Sequence, residues 1–437
     1  MLVKRLSWAL CAFLICAAPL PAADNVAPEG FTAIFNGKDL TGWYGLEHFD
    51  PRKLWAMTPE EQAAKRDANQ KEFAAHWTVQ NGELVNDGFG PYATTAKDYR
   101  DYEFWIDYKT VAKADSGIYL KASPQVQIWD STDEAKFSIG GDKGSGGLWN
   151  NSPGAAGKDP LVKADRAFGE WNEFKISQIG ARTTVVYNGQ LVVDHAILEN
   201  YWDRKAPLFP QGPVQLQTHG GEIRWKNIYV KELSAEEANQ RLAAKGAEGF
   251  KSIFNGKDLT GWAGVVDNYE VVDGTIRCKA GKGGVLHTKQ EYADFVVRLE
   301  FKVPPGGNNG LAIRYPGEGN AAYMGMTELQ ILDNDAEQYA KLDPRQYHGS
   351  AYGQVAAAKG FLRKPGEWNF QEVTVKGSTI KVELNGNIIL DTDLGPITEF
   401  MANTPHPGKD LKKGFFGFAG HSDPVEFRNI QIKTLSE

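Results

Sequence analysis

The chain has 437 residues and carries 48 Lys and Arg side chains against 55 Asp and Glu, for a formal net charge of −7. No basic stripe accompanies this acidic balance, which excludes nucleic acid as an expected partner. Aromatic residues make up 11% of the chain and glycine occupies 47 positions, a composition typical of β-sandwiches and of sugar-binding clefts lined by flat rings.

The first predicted element is a secretory signal peptide over residues 1–23. A positively charged start is followed by an apolar run, Leu6 to Leu20, and by small residues up to Ala23. The run is shorter than the roughly 20 residues that span a membrane, which favours cleavage near Ala23. We therefore expect an exported protein with no membrane insertion after cleavage. Cys278 is then the one remaining cysteine, so no intrachain disulfide is expected.

The next stretch, predicted as one domain over residues 24–233, consists mainly of short strands. Segments such as YEFWIDYK and TTVVYN are rich in aromatic and β-branched residues and lie between Gly, Asn, Asp and Pro. Asn81-Gly82 and Asn188-Gly189 indicate hairpin turns, because a left-handed backbone costs little there. A helical insertion is predicted at about 58–76, where Thr-Pro-Glu-Glu precedes a run of good helix formers.

A helical linker is predicted over residues 234–249, with Ser234 as its N-cap and acidic residues in the first turn. The stretch that follows, predicted as a second domain over residues 250–437, nearly copies the first. FKSIFNGKDLTGWAG, from Phe250, matches FTAIFNGKDLTGWYG, from Phe31, at twelve of fifteen positions. This repeat is far longer than solenoid units of about 20–50 residues, so we interpret the chain as one domain built twice.

The predicted fold class is all-β. Many short strands with closely spaced turns favour an antiparallel sandwich in each half. The two sandwiches are expected in tandem, with a short helical insertion in the first and a helical linker between them.

Motifs that recur in the same order in both halves resemble those of a known family. They are IFNGKDLTGW, then SGI or NGL, a strand of the form (Q/E)-x-Q-I-x-D, GEWN, and a His-containing strand ending in R/K-N-I. This set resembles the 3-keto-disaccharide hydrolase family, also described as 3-keto-glucoside 1,2-lyase/3-keto-2-hydroxy-glucal hydratase. The resemblance implies concanavalin-A-like jelly rolls with the site on the concave sheet, in bacterial periplasmic proteins. It also implies cleavage of glycosides already oxidised at sugar C3, so the expected partner is an oligosaccharide or glycoside.

The two-residue period of a strand places polar side chains on one sheet face in each half. In PQVQIWD, Gln125, Gln127 and Trp129 alternate with apolar residues. In TELQILD the residues on that face are Glu328 and Gln330. By the same parity, each half adds one basic residue and one histidine to this face: Lys121 and His219, then Arg314 and His421.

Elimination from a 3-keto-glycoside needs a base for the C2 proton, a donor for the enolate oxygen and an acid for the leaving oxygen. The histidines have an ordinary pKa suited to such proton transfer. We predict as catalytic the charged and imidazole side chains of the two faces: Glu328, His421, Arg314, His219 and Lys121. Gln125 stands where Glu328 stands and cannot act as a base. The second half is therefore the stronger catalytic candidate, although both halves are expected to be competent.

Other side chains are predicted to bind the sugar. Trp149, in a Gly-rich loop of the first half, and Tyr352, in the matching loop of the second, are predicted as platforms for a sugar ring. Asp130 and Asp333 point toward the core by parity, and three roles stay open for them: capping a loop, binding a divalent ion such as calcium, or reaching the cleft after a bend. No cofactor is expected. The remaining predicted sugar ligands are Gln125, Gln127, Gln330 and Trp129.

Two other functions fit the sequence. A non-catalytic, tandem carbohydrate-binding protein is the main alternative, because this sandwich also serves lectins. An ordinary glycoside hydrolase ranks lower, because such enzymes use two carboxylates about 5–10 Å apart and only Glu328 stands out. The sequence makes no prediction of oligomeric state or of the linkage cleaved.

Overall fold

The structure is a computed structural model that describes residues 24–435. The predicted signal peptide, residues 1–23, lies outside the described residues. Strands form four antiparallel sheets, two in each half of the chain, which confirms the all-β fold class with tandem sandwiches. Within residues 24–435, none of the helices has the length and apolar character needed to cross a bilayer.

The first half pairs an eight-stranded sheet with a five-stranded one. The larger sheet consists, in spatial order, of Gln190–Ile197, Arg182–Tyr187, Asn172–Ile179, Tyr102–Thr110, Ile223–Glu232, Glu83–Asn86 and Trp77–Gln80, with Thr32–Ala33 beside Ile223–Glu232. The smaller sheet consists of Trp43–Leu46, Tyr92–Thr95, Gln215–Leu216, Asp115–Leu120 and Ser123–Trp129. In Tyr102–Thr110 burial alternates along the strand, whereas Ser123–Trp129 is buried throughout.

The second half repeats this arrangement. Its eight-stranded sheet consists of Tyr269–Val272, Thr275–Cys278, Glu426–Thr434, Phe295–Lys302, Trp368–Lys376, Thr379–Leu384 and Asn387–Asp393, with Lys251–Ser252 beside Glu426–Thr434. Its five-stranded sheet consists of Trp262–Gly264, Gly283–Tyr292, Gly414–His421, Asn308–Tyr315 and Thr327–Leu332. The equivalent strands Ser123–Trp129 and Thr327–Leu332 thus each lie at one edge of the five-stranded sheet of their half.

Local turn chemistry sets the register of several hairpins. The predicted turn residues Asn81 and Asn188 have a positive φ, and so do Asp273 and Asn385, which begin the Asp-Gly and Asn-Gly turns of the second half. Each sits between the last paired residues of two antiparallel strands. The sequence-based turn predictions at these positions are therefore confirmed.

Each half has its own hydrophobic core between its two sheets. The first is dominated by aromatic side chains that are almost completely buried, among them Phe35, Trp77 and Trp225. In the second, the ring of Phe418 stacks on Phe427 and on Trp262. Burial of such large rings is the main favourable term in the folding of each half.

Two longer helices accompany the sheets. Pro59–His76 begins at a capping box in which the Thr58 hydroxyl and the Glu61 carboxylate each accept from the other residue's backbone N–H. Ala235–Ala244 begins in the same way at Ser234. Two shorter helices, Pro51–Trp55 and Ala321–Met324, were not expected from the sequence. The remaining helical segments are 3₁₀ turns at Glu134–Ile139, Gly141–Lys143, Val266–Asn268, Glu337–Tyr339, Pro344–Gln346 and Met401–Asn403.

Buried polar contacts join the halves. Arg182 donates two hydrogen bonds to Glu383 across the junction. The linker helix contributes Asn239, whose side-chain oxygen accepts from Arg363 at 2.6 Å and whose amide donates to Glu300 at 3.1 Å. The contacts of Asn239 hold the linker against the second half, and the Arg182–Glu383 pair joins the two sandwiches directly.

Candidate active site

Each half carries a polar pocket on its five-stranded sheet. The second-half pocket has a volume of about 230 Å³. Its polar and aromatic lining includes Asn308, Tyr323, Glu328, Gln330, Tyr352 and His421. The first-half pocket is larger, about 410 Å³. Its lining includes His48, Asp115, Gln125, Gln127, Trp149 and His219. The polar faces predicted from strand parity are therefore real pockets, and they lie at equivalent places in the two sandwiches.

In the second-half pocket, Glu328 and His421 meet as predicted. The Glu328 side chain is only 4% exposed, and its Oε1 lies 3.4 Å from Nε2 of His421. Gly310 on the neighbouring strand passes so close that a Cβ there would overlap the carboxylate. The hydrogen bond to Glu328 raises the pKa of His421, which favours the imidazolium form near neutral pH.

In the first-half pocket, a carboxylate also contacts the histidine, but it comes from a different strand. Asp115 Oδ2 lies 3.3 Å from Nδ1 of His219 and also contacts Lys136. The hydrogen bond that His219 donates to Asp115 raises the pKa of His219. Burial acts to raise the pKa of Asp115, but His219 and Lys136 outweigh it and leave that pKa below its usual value. Both halves thus pair a histidine with an acid.

Gln127 and Gln330 occupy the same position and make the same contact. Gln127 donates to Oδ1 of Asp115 at 2.9 Å, and Gln330 donates to Oδ1 of Asn308 at 2.6 Å. The sequence analysis did not single out Asp115. A signal was present, because Asp115 precedes Ser-Gly as Asn308 precedes Asn-Gly in the second copy. Gln125 lines the first pocket as predicted, and its buried carbonyl oxygen has no hydrogen-bond partner among residues 24–435.

The prediction that the side chains of Lys121 and Arg314 face the pockets is wrong. Both side chains are at most 1% exposed, and neither lines a pocket. Lys121 donates to the Gly180 carbonyl at 2.8 Å, and burial lowers its pKa to about 8. Arg314 donates to Asp294 and to three backbone carbonyls: Ala293, Gly377 and Leu411.

A local irregularity in the strands explains this error. Lys121 and Arg314 have φ values of 54° and 48°. Lys121 lies in the two-residue turn between the strands Asp115–Leu120 and Ser123–Trp129, and Arg314 lies where the register of its strand shifts. A turn or a bulge breaks the two-residue alternation, so parity assigned the two side chains to the wrong direction. Both side chains serve the structure and do not face the pockets.

Asp130 and Asp333 cap loops. Asp130 accepts from the backbone N–H groups of Lys113 and Thr132 and from the Thr132 hydroxyl. Asp333 accepts from Gly306 N–H at 2.8 Å. The predicted contact of these two residues with sugar is therefore wrong, since neither lines a pocket. No group of three or more His, Cys, Asp or Glu side chains within residues 24–435 is arranged to hold a metal ion.

The predicted aromatic platforms do line the pockets. Trp149 meets Trp129 edge to face at 5.9 Å in the first half, and Tyr352 meets Tyr323 in the same way at 6.4 Å in the second. The first pocket also contains aromatic residues that the sequence analysis did not identify: Tyr92, Tyr119 and Tyr201. The first pocket is thus both wider and more aromatic than the second.

A larger cavity, of about 460 Å³, lies between the halves. Its lining mixes Glu199 and Arg204 with apolar residues such as Ile389, and it includes no histidine. Acid–base chemistry therefore favours the two smaller pockets.

Both halves match the same family model, that of the 3-keto-alpha-glucoside-1,2-lyase-like domain, over residues 30–231 and 249–433. A curated relative from Bacteroides thetaiotaomicron, a 3-keto-disaccharide hydrolase, is 29% identical over 248 residues, which cover 47% of this chain and 86% of the relative.

Among solved structures, a candidate glycosyl hydrolase from Parabacteroides distasonis is 29% identical, covers 43% of this chain and 99% of its own, and has a TM-score of 0.39. The carbohydrate-binding module CBM66 from Bacillus subtilis is 11% identical, covers 40% of this chain and 96% of its own, and has a TM-score of 0.26. The two ranges that match the family model take in most of the chain and confirm the resemblance of the motifs. The chain belongs to the family of 3-keto-alpha-glucoside-1,2-lyase-like domains and carries two copies of that domain.

Proposed function

We propose that this protein cleaves 3-keto-glycosides by elimination across C1 and C2, followed by hydration of the resulting enone, so that the net reaction is hydrolysis. Membership of the family and the name of the Bacteroides relative support action on an oxidised carbohydrate. The observation that carries the proposal is the histidine–carboxylate pair facing a pocket in each half: Glu328 with His421 and Asp115 with His219.

The chemistry of a 3-keto sugar matches these groups. The C3 ketone acidifies the C2 proton, so a base can remove it and the C1 substituent can leave from the enolate. In the second half, Glu328 is the base, and His421, whose pKa is raised by Glu328, protonates the leaving oxygen. With Arg314 turned away, the donors that remain for the enolate oxygen and the sugar hydroxyls are amides and phenols, such as Gln330 and Tyr352.

The inventory of carboxylates argues against an ordinary glycoside hydrolase. Among the described residues that line the pockets, Glu328 is the single acid of the second and Asp115 the single acid of the first. Hydrolysis of an unoxidised glycoside uses two carboxylates on either side of the bond. Elimination needs one base and one acid, which Glu328 and His421 supply in the second half.

One experiment tests this function directly. The protein is incubated with a methyl 3-keto-glucoside and, separately, with the unoxidised parent. We expect enone absorbance and released methanol from the oxidised substrate alone. Turnover of the parent alone would indicate an ordinary hydrolase, and saturable binding of the keto sugar without turnover would support the lectin-like alternative. The predicted signal sequence in residues 1–23 would place this activity in the periplasm, which fractionation of expressing cells tests.

A further inference from the structure

We propose that the first-half pocket works with a second histidine, His48, which takes the C2 proton, while His219 protonates the leaving oxygen. This inference rests on the proposed function and assigns roles within one of its two sites. His48 comes from a segment with no counterpart in the second copy, between the strand Trp43–Leu46 and the helix Pro51–Trp55.

The geometry places His48 in the pocket and holds its ring. Nδ1 of His48 lies 3.1 Å from the hydroxyl of Tyr119. Its ring contacts the rings of Tyr92, Tyr119, Tyr201 and Trp202 at centroid distances of 4.7–6.4 Å. His48 and His219 line the same 410 Å³ cavity, so both imidazoles face the space that a substrate would occupy.

The surroundings of His48 and His219 shift their pKa values in opposite directions. Burial lowers the pKa of His48, and the titratable groups that face it are the phenols of Tyr92, Tyr119 and Tyr201. The hydrogen bond to Asp115 instead raises the pKa of His219. Near neutral pH His48 is thus the more often neutral of the two histidines, and His219 is the more readily protonated. Two groups with such opposite shifts in one pocket are the arrangement expected of a base and an acid.

Tyr119 is the residue that orients this base. If Nδ1 of His48 carries the ring proton and donates it to the Tyr119 oxygen, Nε2 is free to accept the C2 proton. Burial raises the pKa of Tyr119 above its usual value, so the phenol stays protonated. Its own proton then remains available to the enolate oxygen of the substrate.

The proposed step balances in atoms and charge. His48 takes the C2 proton, and the electron pair of the C2–H bond delocalises into the C3 ketone as an enolate. That pair then forms the C1–C2 double bond while the bond from C1 to the leaving oxygen breaks. The leaving oxygen takes a proton from the His219 imidazolium. The pocket ends with His48 protonated and His219 neutral, and proton exchange with solvent restores both.

The second half has no equivalent of this second imidazole. Ala312 stands at the position of Tyr119, packed against Tyr315 and Ala321. His421 is the single histidine among the described residues of that pocket. In the first half, glutamine (Gln125) occupies the position of Glu328 and cannot act as a base. His48 takes that role there, whereas Glu328 is the base in the second half.

The test uses the full chain with the second half silenced by E328Q and H421N. In this background H48N and H219N are compared, with H76N as a matched control, because His76 pairs with Asp87 outside the pocket. Two measurements are made: exchange of the C2 hydrogen with D₂O, and release of methanol or 4-nitrophenol from the corresponding 3-keto-glucosides. Circular dichroism confirms that each variant is folded.

We expect H48N to lose C2 exchange and the release of both leaving groups by about 10²–10⁴-fold. H219N is expected to keep C2 exchange and to slow methanol release much more than 4-nitrophenol release, because 4-nitrophenolate leaves without a proton. H76N should match the background.

Loss of C2 exchange in H219N, or an H48N rate equal to that of H76N, would overturn the assignment. The assignment would also be overturned if the E328Q/H421N variant were inactive while the wild-type protein was active, because the first half would then have no activity of its own. Failure of the proposed function itself is a different result, since the wild-type protein would then turn over no 3-keto-glucoside.

Discussion

Glu328→Gln is expected to lower kcat/KM of the second half for a 3-keto-glucoside by about 10²–10⁴-fold, the usual contribution of a general base. Glutamine keeps the shape of the side chain against Gly310 and Gln330 but cannot accept the C2 proton. The rate is measured in the H48N/H219N background, so that the first half does not contribute. The matched control is E318Q, an exposed glutamate of the same half that does not line the pocket.

The same substitution should change the pH dependence of the second half. The hydrogen bond to Glu328 is the largest cause of the raised pKa of His421, and Asp423 also favours the imidazolium. Removing the Glu328 charge lowers the pKa of His421. The alkaline limb of the pH–rate profile, where the acid loses its proton, should therefore move to lower pH in E328Q. An unmoved alkaline limb together with an unchanged rate would remove Glu328 from the mechanism.

The first half also indicates what should not restore the lost activity. Asn308 stands where Asp115 stands, and it accepts from Gln330 as Asp115 accepts from Gln127. N308D in the E328Q background returns a carboxylate to the pocket at that place, but in the first half that carboxylate partners His219 while His48 takes the C2 proton. We therefore expect N308D to recover less than about tenfold of the lost rate, the equivalent of about 1.4 kcal/mol. Recovery of most of the rate would show that a carboxylate at this place can itself act as the base.

Arg314→Met is expected to lower the free energy of unfolding by about 1.5–3 kcal/mol, the usual contribution of hydrogen bonds made by a charged group. Arg314 is buried, but Asp294 is 31% exposed, so the carboxylate left behind stays partly solvated. The substitution leaves Asp294 without its cation and removes the donor to three backbone carbonyls: Ala293, Gly377 and Leu411. Because Arg314 does not line the pocket, kcat/KM should stay near the wild-type value at temperatures where the variant is folded.

Urea denaturation followed by circular dichroism measures this loss. The control is R277M, which removes a partner of Glu270 from a pair that is about one-third exposed; such pairs contribute about 0–1 kcal/mol. A variant R314M that unfolds like the wild type but loses activity would return Arg314 to the catalytic role that parity suggested.

The contrast between Arg314 and Glu328 shows what could be predicted from the sequence. The repeat and its turn residues predict two antiparallel sandwiches. Strand parity placed Glu328 and Gln330 correctly, because their strand pair is regular. It also placed Gln125 and Gln127 correctly, although the register of their strand pair shifts between Ile118 and Leu120. Parity failed at Lys121 and Arg314, where a left-handed residue interrupts the pleat. No rule based on alternation detects such a bulge.

Two site residues were missed for different reasons. Asp115 contacts His219 across strands that are about 100 residues apart in the chain, a pairing that depends on sheet order. Because His48 has no partner in the second copy, the comparison of the two halves could not single it out. A comparison of repeats finds what the copies share, and it leaves out what one copy adds.

The most direct test of the two-site account is the turnover of a methyl 3-keto-glucoside by the double variant H219N/H421N. Both imidazoles lie at the pocket surface, with side chains 59% and 43% exposed, so the fold should tolerate their replacement. We predict that methanol release falls by about 10²–10⁴-fold, the usual contribution of a general acid, while each single variant retains the activity of the other half. Release at the wild-type rate from the double variant would contradict the account, because neither histidine–carboxylate pair would then be needed.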